Sequence, residues 1–145
     1  MKEVSPKEAY ELMQNDKDYI YLDVRSVPEF DAGHPEGAIN IPIMHFDPRA
    51  GMSPNQDFTA VVEANLPRDA KIVIGCKTGG RSARACEILS QIGYTDVANV
   101  RGGFVGATDN FGRMAEPGWS ALGLPSSTES GEGVSYESLA ANASK

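Results

Sequence analysis

The chain has 145 residues, 41% of them hydrophobic, which suits one domain with its own core. Twenty acidic against thirteen basic residues give a net charge of -7, so neither nucleic acid nor an anionic membrane surface is an expected partner. Every apolar run falls short of a membrane span, and two cysteines, Cys76 and Cys86, are too few for a disulfide scaffold and suit a reducing compartment.

In chain order, Met1-Lys2-Glu3-Val4 leads directly to a polar helix start with no signal-peptide core, so the expected location is cytoplasmic. Ser5-Pro6-Lys7-Glu8 is a capping pattern with proline at the first helical position, and Ala9, Leu12 and Met13 continue it as an apolar stripe. Residues 19–24 predict a strand ending in Asp23-Val24-Arg25, residues 28–33 a short helix closed by glycine, and residues 38–42 a second short strand. Residues 44–54 are rich in Pro, Gly and Met and predict a surface loop near the mouth of a site. Residues 57–64 predict a helix capped by Asp57 and ended by Asn65-Leu66-Pro67.

The most informative stretch follows. Lys71-Ile72-Val73-Ile74-Gly75 is apolar and β-branched, a buried strand, and the residues after Ser82 carry apolar side chains at helical spacing. Between them lies Cys76-Lys77-Thr78-Gly79-Gly80-Arg81-Ser82, a tight loop into a helix. Paired glycines let successive N–H groups turn toward one point, the helix start adds free N–H groups and a positive dipole end, and Lys77 and Arg81 add full charges. Each favours thiolate over thiol, and the thiolate is the nucleophile. The alternative is a small buried cysteine before a turn, but burial alone calls for neither Gly-Gly nor two cations.

In the helix after the loop, Ala85, Ile88, Leu89 and Ile92 share one face with Cys86 at its edge. Cys86 is read as a packing residue, the alternative being a resolving cysteine for Cys76. Residues 96–100 predict the last strand, and Gly102-Gly103-Phe104 opens a long irregular stretch. After Pro125 the composition turns to Ser, Gly and Glu. Residues 126–133 are expected to be a flexible linker and residues 134–141 a short helix packing back. No metal-ligand cluster is present, since both histidines stand apart from both cysteines in sequence.

Cys76-x-x-Gly79-x-Arg81-Ser82 resembles the active-site loop of single-domain rhodaneses, sulfurtransferases that carry sulfur as a cysteine persulfide. The run from Asp23-Val24-Arg25 through Glu29-Phe30 to Gly33-His34 and Gly37-Ala38-Ile39-Asn40-Ile41-Pro42 resembles the family's N-terminal signature, with Pro35-Glu36 departing from its usual sequence. Arg101-Gly102-Gly103, Gly118-Trp119 and Gly123-Leu124-Pro125 are similar to its C-terminal part, with 105–117 an insertion that either walls the acceptor site or only covers the core.

The resemblance implies an α/β fold over residues 1–125: three layers, a mainly parallel sheet of four to five strands, and helices on both faces. Residues 126–145 form an acidic tail. It implies sulfur transfer from a small anionic donor such as thiosulfate to cyanide or a thiol, without cofactor or metal, a protein sulfur acceptor being a further candidate. Cys76 and Arg81 would be catalytic, and Lys77, Thr78, Gly79, Gly80 and Ser82 would bind the donor. Asp23, Arg25 and His34 would support the loop. Arg25 pairing with Glu29 would pin the short helix to the sheet, and His34 is read as a loop anchor rather than a proton shuttle. Cysteine-dependent phosphatases and arsenate reductases on this fold are the alternative, although the phosphatase loop is one residue longer than the four that separate Cys76 from Arg81. An inactive binding module is disfavoured because the cysteine and its cations are kept.

Overall fold

A computed structural model describes residues 2–144. The elements in chain order are β1 (Glu3–Val4), α1 (Pro6–Asn15), β2 (Tyr19–Asp23), α2 (Val27–Ala32), β3 (His34–Pro35), β4 (Ile39–Asn40), β5 (Met44–Asp47), β6 (Gly51–Pro54), α3 (Phe58–Asn65), β7 (Lys71–Gly75), α4 (Gly80–Gln91), β8 (Val97–Val100), β9 (Gly106–Thr108), β10 (Met114–Pro117), β11 (Ser126–Ser127) and α5 (Tyr136–Ala143). Ser5 and Glu8 complete the expected reciprocal cap of α1 at 2.8 and 3.1 Å.

Five strands form a parallel sheet in the order β1-β8-β7-β2-β4, with β7 at its centre. Because side chains alternate along a strand, Leu22, Ile72 and Ile74 join one core with Phe58, Val62, Ala85, Leu89 and Leu139 of α3, α4 and α5. Tyr21 and Val73 join the other with Ala9, Phe30 and Trp119. Both faces are thus covered, as a parallel sheet requires, in three layers.

Three segments differ from the sequence reading. Residues 44–54 form an antiparallel hairpin, β5 with β6, joined by a turn at residues 48–50, and Gly51 opens β6 with φ 77°. Its pairing is backbone to backbone, which Pro, Gly and Met content hides. Residues 106–117, expected to be irregular, also form a hairpin, β9 with β10. At α3 the Asp57 side chain makes no cap; Asn55 Oδ1 instead accepts the Asp57 N–H at 3.0 Å.

The tail is held along its length. Ser126–Ser127 pairs antiparallel with His34–Pro35, and the Asn40 N–H donates to the Val134 carbonyl at 2.9 Å, so residues 126–133 are pinned at both ends. The helix expected at 134–141 lies at Tyr136–Ala143 and packs on α3. Leu139 is buried in the core there, and Asn65 Nδ2 donates to its carbonyl at 2.9 Å. Among the described residues no helix is long and apolar enough to cross a membrane, and no His, Cys, Asp and Glu cluster is arranged to hold a metal ion.

Leu139→Ala should therefore cost roughly 2–4 kcal/mol in denaturant unfolding, the range for emptying a buried leucine site. A loss below about 0.5 kcal/mol, ordinary for a surface change, would show that α5 does not dock.

Candidate active site

β7 ends at Gly75 and α4 begins at Gly80, so the segment from Cys76 to Gly79 lies at the carboxyl edge of the central strand, where open parallel sheets bind ligands. Cys76 points inward and is only 1% exposed. Its Sγ accepts the Gly79 N–H at 3.0 Å, and Ser82 Oγ lies 3.4 Å away. Gly79 adopts φ 121°, ψ -15°, a backbone open to glycine, which brings its N–H back to the sulfur. Gly80 has no such requirement: its φ is not positive and the space beside it is empty. Among the described residues, the N–H groups of Thr78, Gly80 and Arg81 have no backbone acceptor in the chain, leaving donors free at the start of the 12-residue α4.

The two cations of the loop part company. Lys77 is exposed and, among the described residues, makes no ion pair. Arg81 is held by Glu29 of α2 through two parallel bonds, Nη1 to Oε1 at 2.7 Å and Nη2 to Oε2 at 2.9 Å. Glu29 Oε1 also accepts the Ser26 N–H at 3.1 Å and the Ser26 hydroxyl at 2.8 Å. Burial alone would raise the Glu29 pKa, but the bonds from Arg81 and Ser26 win and hold it at about 2. The same pairing raises that of Arg81.

Glu29 is thus the partner of Arg81 and not of Arg25. Arg25 instead turns back on Asp23, with Nη2 to Oδ2 at 2.7 Å, both residues being buried. Arg25 also donates to the Gly33 carbonyl at 2.7 Å and lies 4.6 Å from the centre of the Phe104 ring. His34 is buried, stacks on Phe30 at 3.6 Å, and donates from Nδ1 to the Phe30 carbonyl at 2.7 Å. The donor is the ring nitrogen because a carbonyl only accepts. Cys76, Gly79 and Ser82 are therefore gathered at the sulfur, with Lys77, Thr78 and Gly80 exposed at the rim. Arg81 is drawn aside, and Asp23, Arg25 and His34 form a buried frame around α2.

Several contributors escaped the sequence reading. Gly103 takes φ 56°, and a Cβ there would overlap the Cys76 carbonyl. This close approach lets Phe104 N–H donate to the Cys76 carbonyl at 2.8 Å and Val105 N–H to that of Lys77 at 3.0 Å. The signal available in the sequence is the pair Gly102-Gly103. Ser26-x-x-Glu29 has the spacing of a helix-start pair and pointed to where the Glu29 carboxylate sits. The β5–β6 hairpin contributes Phe46 and Met52, both exposed, to a groove of about 490 Å³ shared with Pro28, Glu29, Lys77 and Arg81. The β9–β10 hairpin lines a groove on the other side with Thr78 and Gly79, through Ala107 and Glu116. Cys86 is buried in α4, where desolvation first and then Glu3 and Glu87 push its thiol up to about 12, a poor nucleophile.

The sequence profile of the rhodanese-like domain matches residues 5–110. The chain is 38% identical over 105 residues to thiosulfate sulfurtransferase 16, chloroplastic, of Arabidopsis thaliana, covering 72% of this chain and 77% of that protein. It is 43% identical over 84 residues to the mitochondrial protein High Arsenic Content 1 of the same plant, covering 58% of this chain and only 49% of that one. Among solved structures, Rv0390 from M. tuberculosis superposes with a TM-score of 0.74 at 27% identity, over 89% of this chain and 98% of that one. With its parallel sheet, its cysteine loop at the end of the central strand and this profile match over most of its length, the chain belongs to the rhodanese-like domain family.

Proposed function

We propose that this rhodanese-like domain is a sulfurtransferase that moves sulfane sulfur from a small anionic donor such as thiosulfate to cyanide or a thiol through a persulfide on Cys76. The observation that carries this is a sulfur at the floor of a short loop, 1% exposed and receiving the Gly79 N–H, with Lys77 exposed in the same loop. A floor that deep suits attack on a slender terminal sulfur.

In the first step the Cys76 thiolate attacks the outer sulfur of thiosulfate. A bond from Sγ to that sulfur forms, the sulfur–sulfur bond of thiosulfate breaks, and its electron pair leaves with sulfite. The free N–H groups of Thr78, Gly80 and Arg81 are the donors available to the new terminal sulfur anion. Lys77 supplies the charge that receives the dianionic donor. Arg81, engaged with Glu29, contributes by holding the start of α4 against α2. In the second step the acceptor takes the outer sulfur, as thiocyanate from cyanide or a new persulfide from a thiol, and Cys76 returns as thiolate. A protein thiol has the same chemistry and is a further candidate acceptor. Cysteine-dependent oxyanion chemistry, phosphate-ester hydrolysis or arsenate reduction, is the second reading, favoured by the likeness to High Arsenic Content 1.

Intact mass after thiosulfate treatment should rise by one sulfur, and Cys76→Ser should show no gain and no transfer to cyanide. Sulfur uptake by the serine variant would remove Cys76 from the mechanism.

The Glu29–Arg81 clamp has its own signature in acid. A carboxylate whose folded value is depressed contributes stability above its ordinary value of 4.5 and loses it as pH falls toward about 2. The melting temperature of the wild type should therefore fall more steeply than that of Glu29→Gln between these limits. Parallel curves would show that the pair contributes nothing to the folded state.

A further inference from the structure

Ser82 Oγ has three acceptors within reach and one proton to give. Asn99 Oδ1 lies 2.5 Å away, the Gly79 carbonyl 3.1 Å and Cys76 Sγ 3.4 Å. Both Ser82 and Asn99 are buried, so no solvent shares the bond. Which end of the Asn99 amide faces Ser82 follows from its other neighbour. Asn99 Nδ2 meets Glu3 Oε2 at 3.1 Å, and an ionised carboxylate only accepts, so the nitrogen must face Glu3 and the oxygen Ser82. The arrangement is built into the sheet, because Glu3 of β1 and Asn99 of β8 are register partners.

We infer that Asn99 is a positioning residue that takes the Ser82 hydroxyl proton away from Cys76, with Glu3 fixing the orientation of its amide. The inference rests on Cys76 being the nucleophile of the reading above. With the Ser82 proton committed to Asn99, Sγ accepts one hydrogen bond from the protein, that of the Gly79 N–H. A second donor would stabilise the thiolate but lower its nucleophilicity, since thiolates that form more easily attack less strongly. Asn99 thus keeps the thiolate, once formed, at its higher intrinsic nucleophilicity. A polar side chain in the middle of Val97-Ala98-Asn99-Val100 is otherwise an anomaly in a buried strand.

The test is the pH profile of Cys76 alkylation by iodoacetamide, followed by intact mass on the full chain. It needs no sulfur donor, so it can fail independently of the thiosulfate reading. Asn99→Ala removes the nearest acceptor, so the hydroxyl proton is shared between the Gly79 carbonyl at 3.1 Å and Sγ at 3.4 Å. The profile's midpoint should move to lower pH by about one unit, the size of effect one added hydrogen bond to an anion produces. The alkylation rate on the high-pH plateau should fall at the same time. Other charges facing the loop are Lys77 and Arg81 from α4 and its approach, Glu29 from α2, Asp23 and Arg25 from the end of β2, Glu3 from β1, and Arg101 with Glu116 beside β8. The release of Glu3 from Asn99 occurs alike with and without Ser82, so it cancels when the two backgrounds are compared. In a Ser82→Ala background the same Asn99→Ala change should therefore move midpoint and plateau much less than it does when Ser82 is present. Asn99→Leu, which keeps bulk in β8 without an acceptor, should behave as alanine does and covers the case in which alanine unfolds the sheet. An unmoved midpoint in both Asn99 variants, or an equal movement when Ser82 is absent, would overturn the assignment.

Discussion

The geometry of the loop depends on one carboxylate. Glu29 takes four donors, two from Arg81, one from the Ser26 backbone and one from the Ser26 hydroxyl. The helix it belongs to has six residues, too few to be stable by itself. α2 is therefore fixed by what it touches: Arg81 at its start and, at its end, Arg25 on the Gly33 carbonyl and His34 on the Phe30 carbonyl. The consequence for function is a division of labour between like charges. Arg81 is paired with Glu29, while Lys77 is exposed and, among the described residues, makes no ion pair.

A second constraint sets the direction of the N–H groups. In a trans peptide the N–H points opposite to the carbonyl of the same unit. The Cys76 and Lys77 carbonyls are both turned to the segment after β8, where Phe104 and Val105 N–H groups receive them. The N–H groups of Lys77 and Thr78 are thereby turned away from that segment. Gly103 makes this possible by lacking the side chain that would strike the Cys76 carbonyl. The glycine pair after β8 and the cysteine loop are thus two halves of one device, although Gly103 lies 27 positions after Cys76 in the chain. Trp119 backs the arrangement, its N–H donating to the Gly103 carbonyl at 2.9 Å and its indole N–H to that of Pro125 at 2.7 Å.

What the sequence made legible was local or carried by a motif. The Ser5-Glu8 cap, the apolar β7 and the glycine-bent cysteine loop each announce themselves within a few residues. The sheet's layering was carried by the family resemblance. What stayed hidden depends on partners far away in the chain. Glu29 could be matched with Arg25, four residues away, as readily as with Arg81, and only the fold decides that Arg25 is consumed by Asp23. The hairpins at 44–54 and 106–117 and the pinning of 126–133 rest on backbone pairing, which side-chain composition does not encode. Asn99 lies inside a strand whose pattern is set by its apolar neighbours. A buried polar residue in such a strand was the available sign. The orphaned Tyr21 hydroxyl, packed where Gly75 lacks a side chain, is a further feature no sequence pattern announces.

If Cys76 carries the proposed persulfide, its loop should accept a terminal sulfur and reject a phosphate. The most direct measurement compares the two chemistries on one sample of the unmodified protein, following sulfite release from thiosulfate with cyanide present and p-nitrophenol release from p-nitrophenyl phosphate. A persulfide on Cys76 predicts sustained sulfite release and negligible ester hydrolysis, with inorganic phosphate a weak competitor. Robust hydrolysis of the ester with no sulfite released from thiosulfate would contradict it.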